Sequence, residues 1–175
     1  MKKEDLRVVP FKNYIILLGV LAGSFLLLYY FYIWFDAYEE NKLNRRILDN
    51  YMQIINYNEL DNYLVENPDT ILYVSVLQDE KIREFEKLVK KKYREKLIDR
   101  DILYLDITTL SDVERNNLRS RYYYNNLDIL SVPCVVVFNN GIIDAIYSVG
   151  GNGYDIDKFV MYINQINYEM GDLND

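Results

Sequence analysis

The chain contains no histidine and only one cysteine, Cys134, among its 175 residues. The lack of histidine removes the commonest general base, the commonest side-chain metal ligand and the usual pH switch. A single cysteine excludes any disulfide within the chain. We therefore expect no metal, no cofactor and a core that folds without covalent staples, for which the chain is long enough.

The chain is also short of positive charge, with a net charge of −7. Residues 1–13 carry four basic and two acidic side chains, so the remainder carries a net charge of −9. An acidic domain repels the phosphate backbone. Nucleic acid is therefore not an expected partner.

Charge is absent altogether between Lys12 and Asp36. Residues 14–35 form an apolar run, and an α-helix needs about 20 residues to cross the hydrocarbon core of a bilayer. The first half of the run is aliphatic and the second half ends in aromatic residues, as at a membrane interface. The sequence predicts a transmembrane helix at 14–35, in contact with the lipid bilayer and preceded by a short basic tail at 1–13.

A cleaved signal peptide is the competing interpretation of this run. Its apolar region would be shorter, and small residues would follow it, whereas Asp36-Ala37-Tyr38-Glu39 offers no clear cleavage site. We expect an uncleaved signal anchor of a single-pass cell-membrane protein. Four basic residues precede the run, and Lys42, Arg45 and Arg46 follow it, which favours a cytoplasmic N-terminus and an extracytoplasmic C-terminal domain.

The remainder divides into a stalk or linker at 36–52, a domain at 53–170 and a short tail at 171–175. The stalk can continue the membrane helix. The domain alternates apolar strand patterns with amphipathic helix patterns in the order β-α-β-α-β-α-β-β-α. Asn58, Ser111 and Asp155 are candidate helix N-caps, and Asn139-Asn140-Gly141 is a candidate hairpin turn. The fold class predicted is α/β, a mixed central sheet with helices on both faces.

One segment of the domain carries a family resemblance. Ser131-Val132-Pro133-Cys134, followed by Val-Val-Val-Phe-Asn-Asn-Gly at 135–141, resembles the thioredoxin family. In that family a cis-proline opens the third core strand, and a hairpin turn follows that strand. The resemblance covers residues 53–168 and implies a thioredoxin-like fold for the whole domain.

The catalytic part of the family pattern is missing. Members of the family carry Cys-x-x-Cys before the helix that follows the first buried strand, often with Arg-x-Phe after it. Alignment on Arg83 and Phe85 puts Asp79 and Ile82 at the two cysteine positions, and no cysteine lies nearby. The family's buried acidic residue is also replaced by an apolar one, near Val74. Thiol–disulfide exchange needs a thiolate, so this chain is not expected to be an enzyme.

The binding residues that the resemblance implies are Val132 and Pro133, with the vestigial positions Asp79 and Ile82. Relatives pair the backbone beside the cis-proline with an extended client segment, so a binding groove can outlive the cysteines. The alternative is that the cis bond only shapes the fold. Cys134 is either a lone redox thiol or a small buried apolar side chain, and its valine neighbours favour the second interpretation.

Three functions therefore remain open. The first is a non-catalytic protein-binding or assembly module at the cell envelope, with another envelope or membrane protein as its partner. The second is a weak thiol–disulfide oxidoreductase that uses Cys134. The third is a structural subunit of a membrane complex, held through the apolar helix, in which Gly19 and Gly23 have the G-x-x-x-G spacing.

Two surface patterns accompany these predictions. Lys87, Lys90, Lys91, Lys92 and Arg94 form a basic run that is either a solvated helix face or a contact for anionic headgroups. Residues 121–124 are an arginine and three tyrosines, which either fill the core or present an adhesive surface beside the groove.

Overall fold

The computed structural model describes the backbone of residues 10–171 and the side chains of residues 10–39 and 41–166. Most of the predicted basic tail (1–9) and the end of the predicted C-terminal tail (172–175) lie outside the described residues. The chain divides into two compact units, which meet in sequence between Asn44 and Arg45.

The described part of the first unit is essentially one helix, α1 (Phe11–Leu43). It has 33 residues and a mean hydropathy of 2.1 in its most apolar window, and its apolar side chains are exposed. Among the described residues, α1 is the one helix long and apolar enough to cross a membrane. The predicted apolar helix is confirmed, and helical structure continues eight residues beyond the predicted end at residue 35.

The second unit is built on a five-stranded mixed sheet. Its strands, in sheet order, are β1 (Gln53–Ile55), β3 (Ile102–Asp106), β2 (Thr70–Ser75), β6 (Cys134–Asn139) and β7 (Ile142–Ser148). The first three strands are parallel, and β6 and β7 are antiparallel to their neighbours. The central strand β2 is buried at every position, as its nearly continuous apolar sequence predicts.

Helices cover both faces of this sheet. The helices of the unit are α2 (Tyr57–Glu66), α3 (Glu80–Arg94), α4 (Asp112–Arg121) and α5 (Ile156–Gly171). Helices α3 and α5 pack with alternate strand residues such as Tyr73 and Tyr104 in one core cluster. Helices α2 and α4 pack in the second core cluster with the intervening strand residues, such as Leu72 and Leu103, whose side chains point to the opposite face of the sheet. This alternation follows from the two-residue period of a strand, and the predicted α/β architecture is confirmed at this level.

The helix starts follow the capping rules. Ser111 caps α4: its Oγ accepts from the Glu114 backbone N–H at 3.4 Å, and its own backbone N–H donates to the Glu114 carboxylate at 2.8 Å. Asp155 Oδ1 accepts from the Asp157 and Lys158 amides at the start of α5. The prediction for α2 was wrong by two residues, because Asn56 and not Asn58 is the N-cap. Asparagine can cap in either place, and the short strand β1 ends early enough for the helix to begin at Tyr57.

The second unit begins at Arg45, before the strand that opens the predicted domain. Leu48 and Met52, in the segment that the sequence pattern treats as a linker, are buried in the cluster under α3 and α5. The guanidinium of Arg83 also contacts this segment, donating a hydrogen bond to the Arg45 carbonyl at 3.1 Å. Residues 45–52 are thus part of the folded domain.

A small hairpin, β4 (Tyr123–Tyr124) and β5 (Leu127–Asp128), lies between α4 and β6 and was not predicted. Its turn residues Asn125 and Asn126 have φ angles of 49° and 64°. Asparagine tolerates this left-handed conformation, which a two-residue hairpin turn requires.

Candidate functional site

The candidate site lies where β2 ends and β6 begins. These two strands are antiparallel neighbours in which Val74 pairs with Cys134. The register therefore brings Val132 and Pro133, just before β6, to the same edge of the sheet as the loop that leads from β2 to Asp79. The sequence-predicted residues thus share one sheet edge.

The start of α3 is organised by Asp79. Its Oδ1 accepts a hydrogen bond from the Ile82 backbone N–H at 3.0 Å, and its carbonyl accepts from the Arg83 N–H at 3.0 Å. A carboxylate at this position satisfies a free amide and interacts favourably with the positive end of the helix dipole. Asp79 is exposed, whereas Ile82 is buried and packs into the core.

The Val132–Pro133 peptide bond is cis. The Pro133 carbonyl accepts a hydrogen bond from the Val149 N–H at 3.0 Å, which fixes the start of β6 to the end of β7. Pro133 is buried and Val132 is half-buried. Of the four predicted binding residues, Asp79 and Val132 are thus accessible from solvent, while Ile82 and Pro133 support them from within.

The single thiol is buried. Cys134 is 0% exposed, and its Sγ lies 3.3 Å from the Ile129 carbonyl, to which it donates. Burial, and secondarily the charge of Asp128, raises the pKa of this thiol to about 12. A thiol in this environment is a poor nucleophile, because thiol–disulfide chemistry requires the thiolate.

A third loop borders the site, between β7 and α5. Tyr154 in this loop has a φ of 57°, a left-handed conformation that aromatic residues rarely adopt. Its ring packs edge-on against Phe85 of α3, with the centroids 6.1 Å apart. Burial raises the pKa of Tyr154, and the negative charge of Asp79 raises it further, so the tyrosine lies within electrostatic reach of the helix start.

A shallow, largely apolar cavity of about 330 Å³ lies between this loop and α3. Phe85, Leu88 and Tyr154 line it, and Lys81 and Glu84 flank it. Leu88 is 45% exposed, whereas its neighbours Phe85 and Val89 on the same helix are buried. This exposed apolar surface was not predicted, and no local sequence signal distinguishes it from the core stripe of α3.

A buried polar group that was not predicted from the sequence lies under α3. The Ser75 and Tyr104 hydroxyls both donate to Glu86 Oε1, at 2.7 and 3.0 Å, and Glu86 is 1% exposed. Burial raises the pKa of the Glu86 carboxyl, and the two hydroxyl hydrogen bonds oppose that shift. A signal was available, because Glu86 lies four residues after Ile82 and three before Val89, on the apolar stripe of α3.

The tyrosine run at 122–124 is divided between the packed interior and the surface of the domain. Tyr122 is half-buried, packs edge-on against Phe138 and donates from its hydroxyl to Asp61 Oδ1 at 2.6 Å. Arg121 forms an ion pair with the same Asp61. Tyr123 is 56% exposed on the hairpin. The run therefore anchors the hairpin to α2 and leaves one ring on the surface.

The basic run on α3 is largely paired within the domain. Lys92 reaches Asp157 of α5 at 2.9 Å, Lys91 reaches Glu95 at 3.8 Å, and Lys90 lies over the Tyr51 ring. Pairing of this kind favours the solvated-face interpretation. No group of three or more potential metal ligands occurs among the residues that the structure describes.

Comparison with known proteins adds no family to this picture. No protein-family model matches the chain, and no curated protein matches it in sequence. The class that the fold defines is a mixed α/β domain that follows an apolar helix.

Proposed function

We propose that the chain is a single-pass membrane protein whose thioredoxin-like domain binds another envelope or membrane protein and does not catalyse thiol–disulfide exchange. In this proposal α1 is the anchor, its N-terminus is cytoplasmic, and the domain lies outside the cell membrane. The edge of the sheet at Asp79 and Val132 is the binding groove.

The strand order supports the thioredoxin-like assignment. The features that support it are three parallel strands, a central strand that pairs with an antiparallel hairpin, and two helices on each face of the sheet. The cis peptide before Pro133 lies where the resemblance puts it. The β4–β5 hairpin is an addition next to that loop.

The observation that carries the non-catalytic proposal is the replacement of the nucleophile by a helix cap. Asp79 stands at the first cysteine position and binds the Ile82 amide, so the start of α3 is satisfied within the chain. Cys134 is buried with a raised pKa and has no second thiol with which to form a disulfide. What remains at this edge is the half-buried Val132 and the exposed carboxylate of Asp79.

A disulfide-reduction assay tests the non-catalytic part. The full chain in detergent is expected to reduce insulin disulfides no faster than the matched Cys134→Ser variant, with a Cys-x-x-Cys thioredoxin as the positive control. Faster reduction by the wild-type chain than by the variant would overturn the proposal in favour of the one-cysteine oxidoreductase.

Photo-crosslinking in intact membranes tests the binding part. A probe at Val132 is expected to give one discrete protein adduct. A matched probe at Lys91 lies about 18 Å beyond Asp79 along α3, at 1.5 Å per residue. This probe is expected to give no adduct. Equal patterns from both probes, or no adduct from Val132, would mean that the groove does not bind a partner.

One observation favours a second candidate, a structural subunit held through α1. Gly19 and Gly23 lie one turn apart, and apart from the neighbouring residues and the backbone of α1, no atom of the described residues lies within 4 Å of the position that a Cβ would occupy at either glycine. Such a face lets another helix approach closely in a membrane. Replacing α1 by an unrelated membrane helix separates the two candidates. Binding of the partner protein would be lost only if α1 makes the essential contact.

A further inference from the structure

Glu86 stands out among the buried groups because the proposed binding function does not use it. Its carboxylate lies under α3, where one oxygen accepts hydrogen bonds from both Ser75 and Tyr104. All three side chains are at most 1% exposed. Tyr73 lies beside them, completely buried, and its pKa is raised first by burial and then by the Glu86 charge. The hydrogen bonds of Glu86 therefore join α3 to the neighbouring parallel strands β2 and β3.

The charges around Glu86 do not neutralise it. No lysine or arginine nitrogen among the side chains described in residues 45–166 lies within ion-pair distance of its carboxylate. On its own helix Arg83 favours the ionised form, whereas Asp106 at the end of β3 opposes it. Asp106 is itself within 3.4 Å of Arg46. From α5, the uncharged ring of Phe159 packs into the same cluster.

The position of Glu86 couples it to the candidate site. Ser75 is the last residue of β2, and the loop after it leads directly to Asp79 and the first turn of α3. Glu86 lies in the second turn of that helix. An ionised carboxylate buried in this cluster is costly unless water reaches it, and separation of the first turns of α3 from the sheet would let water reach it.

We propose that Glu86 is a proton-operated latch on α3: protonated, it holds the start of the helix against the sheet, and ionised, it favours an opened helix start. The reaction is the loss of one proton from the carboxyl group to solvent. Opening is favoured as pH rises, because the opened state has an ordinary glutamate pKa and the closed state a higher one. Between these two pKa values the ratio of opened to closed molecules rises with pH, by at most about tenfold per pH unit for one proton.

Hydrogen–deuterium exchange of the full chain in lipid nanodiscs tests the latch. After correction for the intrinsic exchange rate at each pH, the opening of amides 82–89 in the wild type should rise with pH above pH 4.5, by at most about tenfold per pH unit, and then level off. In Glu86→Gln it should be independent of pH. The matched control, Glu84→Gln on the exposed side of the same helix, should behave like the wild type. Opening in the wild type that does not depend on pH would overturn the proposal.

Infrared difference spectroscopy keeps the proposal testable if Glu86→Gln does not fold. The wild-type chain should show the C=O band of a protonated carboxyl that titrates over the same pH range as the opening. A carboxyl band that titrates without any change in exchange would overturn the latch. An effect of this latch on partner capture rests on the proposed function, whereas the exchange measurement requires no partner, so the two can fail separately.

Discussion

Replacing Leu48 by alanine should lower the free energy of unfolding of the domain by about 3 kcal/mol. Leu48 is 0% exposed and belongs to the core cluster under α3 and α5, although the sequence pattern assigns its segment to a linker. A buried leucine-to-alanine change costs about 2–5 kcal/mol, because it loses both transfer energy and packing. For a unit of this size, that loss should lower the melting temperature by about 10 °C.

The assay must report on the domain and not on α1. The only tryptophan is Trp34, in α1, so tryptophan fluorescence does not follow the unfolding of the domain. Near-ultraviolet circular dichroism of the tyrosines, or pulse proteolysis in urea, does so for the full chain in detergent. Leu97→Ala is the matched control, since Leu97 is 46% exposed and should cost less than about 1 kcal/mol. Equal losses from the two variants would refute the assignment of residues 45–52 to the core.

The remaining predictions concern the site and its surroundings. Because its folded-state pKa is raised, Glu86 costs the wild type stability as pH rises above 4.5. Glu86→Gln should therefore raise the urea midpoint more at about pH 8 than at about pH 4. Asp79→Ala removes the α3 cap and should cost about 0.5–2 kcal/mol in the same urea assay, whereas Asp79→Asn should retain most of the stability. Cys134 should react with a maleimide only in denaturant, and rapid labelling of the folded chain would contradict its burial. Tyr122→Phe loses the hydrogen bond to Asp61 and should cost about 0.5–1.5 kcal/mol relative to the wild-type chain in the same urea assay.

The sequence was sufficient to predict the elements with strong local patterns. The apolar run before Asp36 is long enough to predict a helix, and the apolar run at 70–77 is short enough to predict a buried strand. The amphipathic stripe of α3 has the helical period. Asp79 as a cap was predictable for the same reason, since a carboxylate before an amphipathic stripe satisfies free helix amides.

Other features depend on contacts that are distant in sequence. The burial of Leu48 requires α3 and α5, which come later in the chain. The hairpin turn at Asn125-Asn126 was missed because its strands are only two residues long and show no alternation. Glu86 was overlooked because a charged residue is ordinarily assigned to the solvent side of a helix, and its hydroxyl partners come from two strands that only the folded sheet brings together.

The pairing of the central strand has a consequence for biosynthesis. Ile71 of β2 pairs with Ile102 on one side and with Val137 on the other, so one of its partners is made 66 residues later. At about 5–20 residues per second, the ribosome needs roughly 3–13 s to supply that partner. For those seconds β2 has an unpaired apolar edge. The nascent chain is therefore most exposed to aggregation, and most in need of a chaperone, between the synthesis of β2 and that of β6.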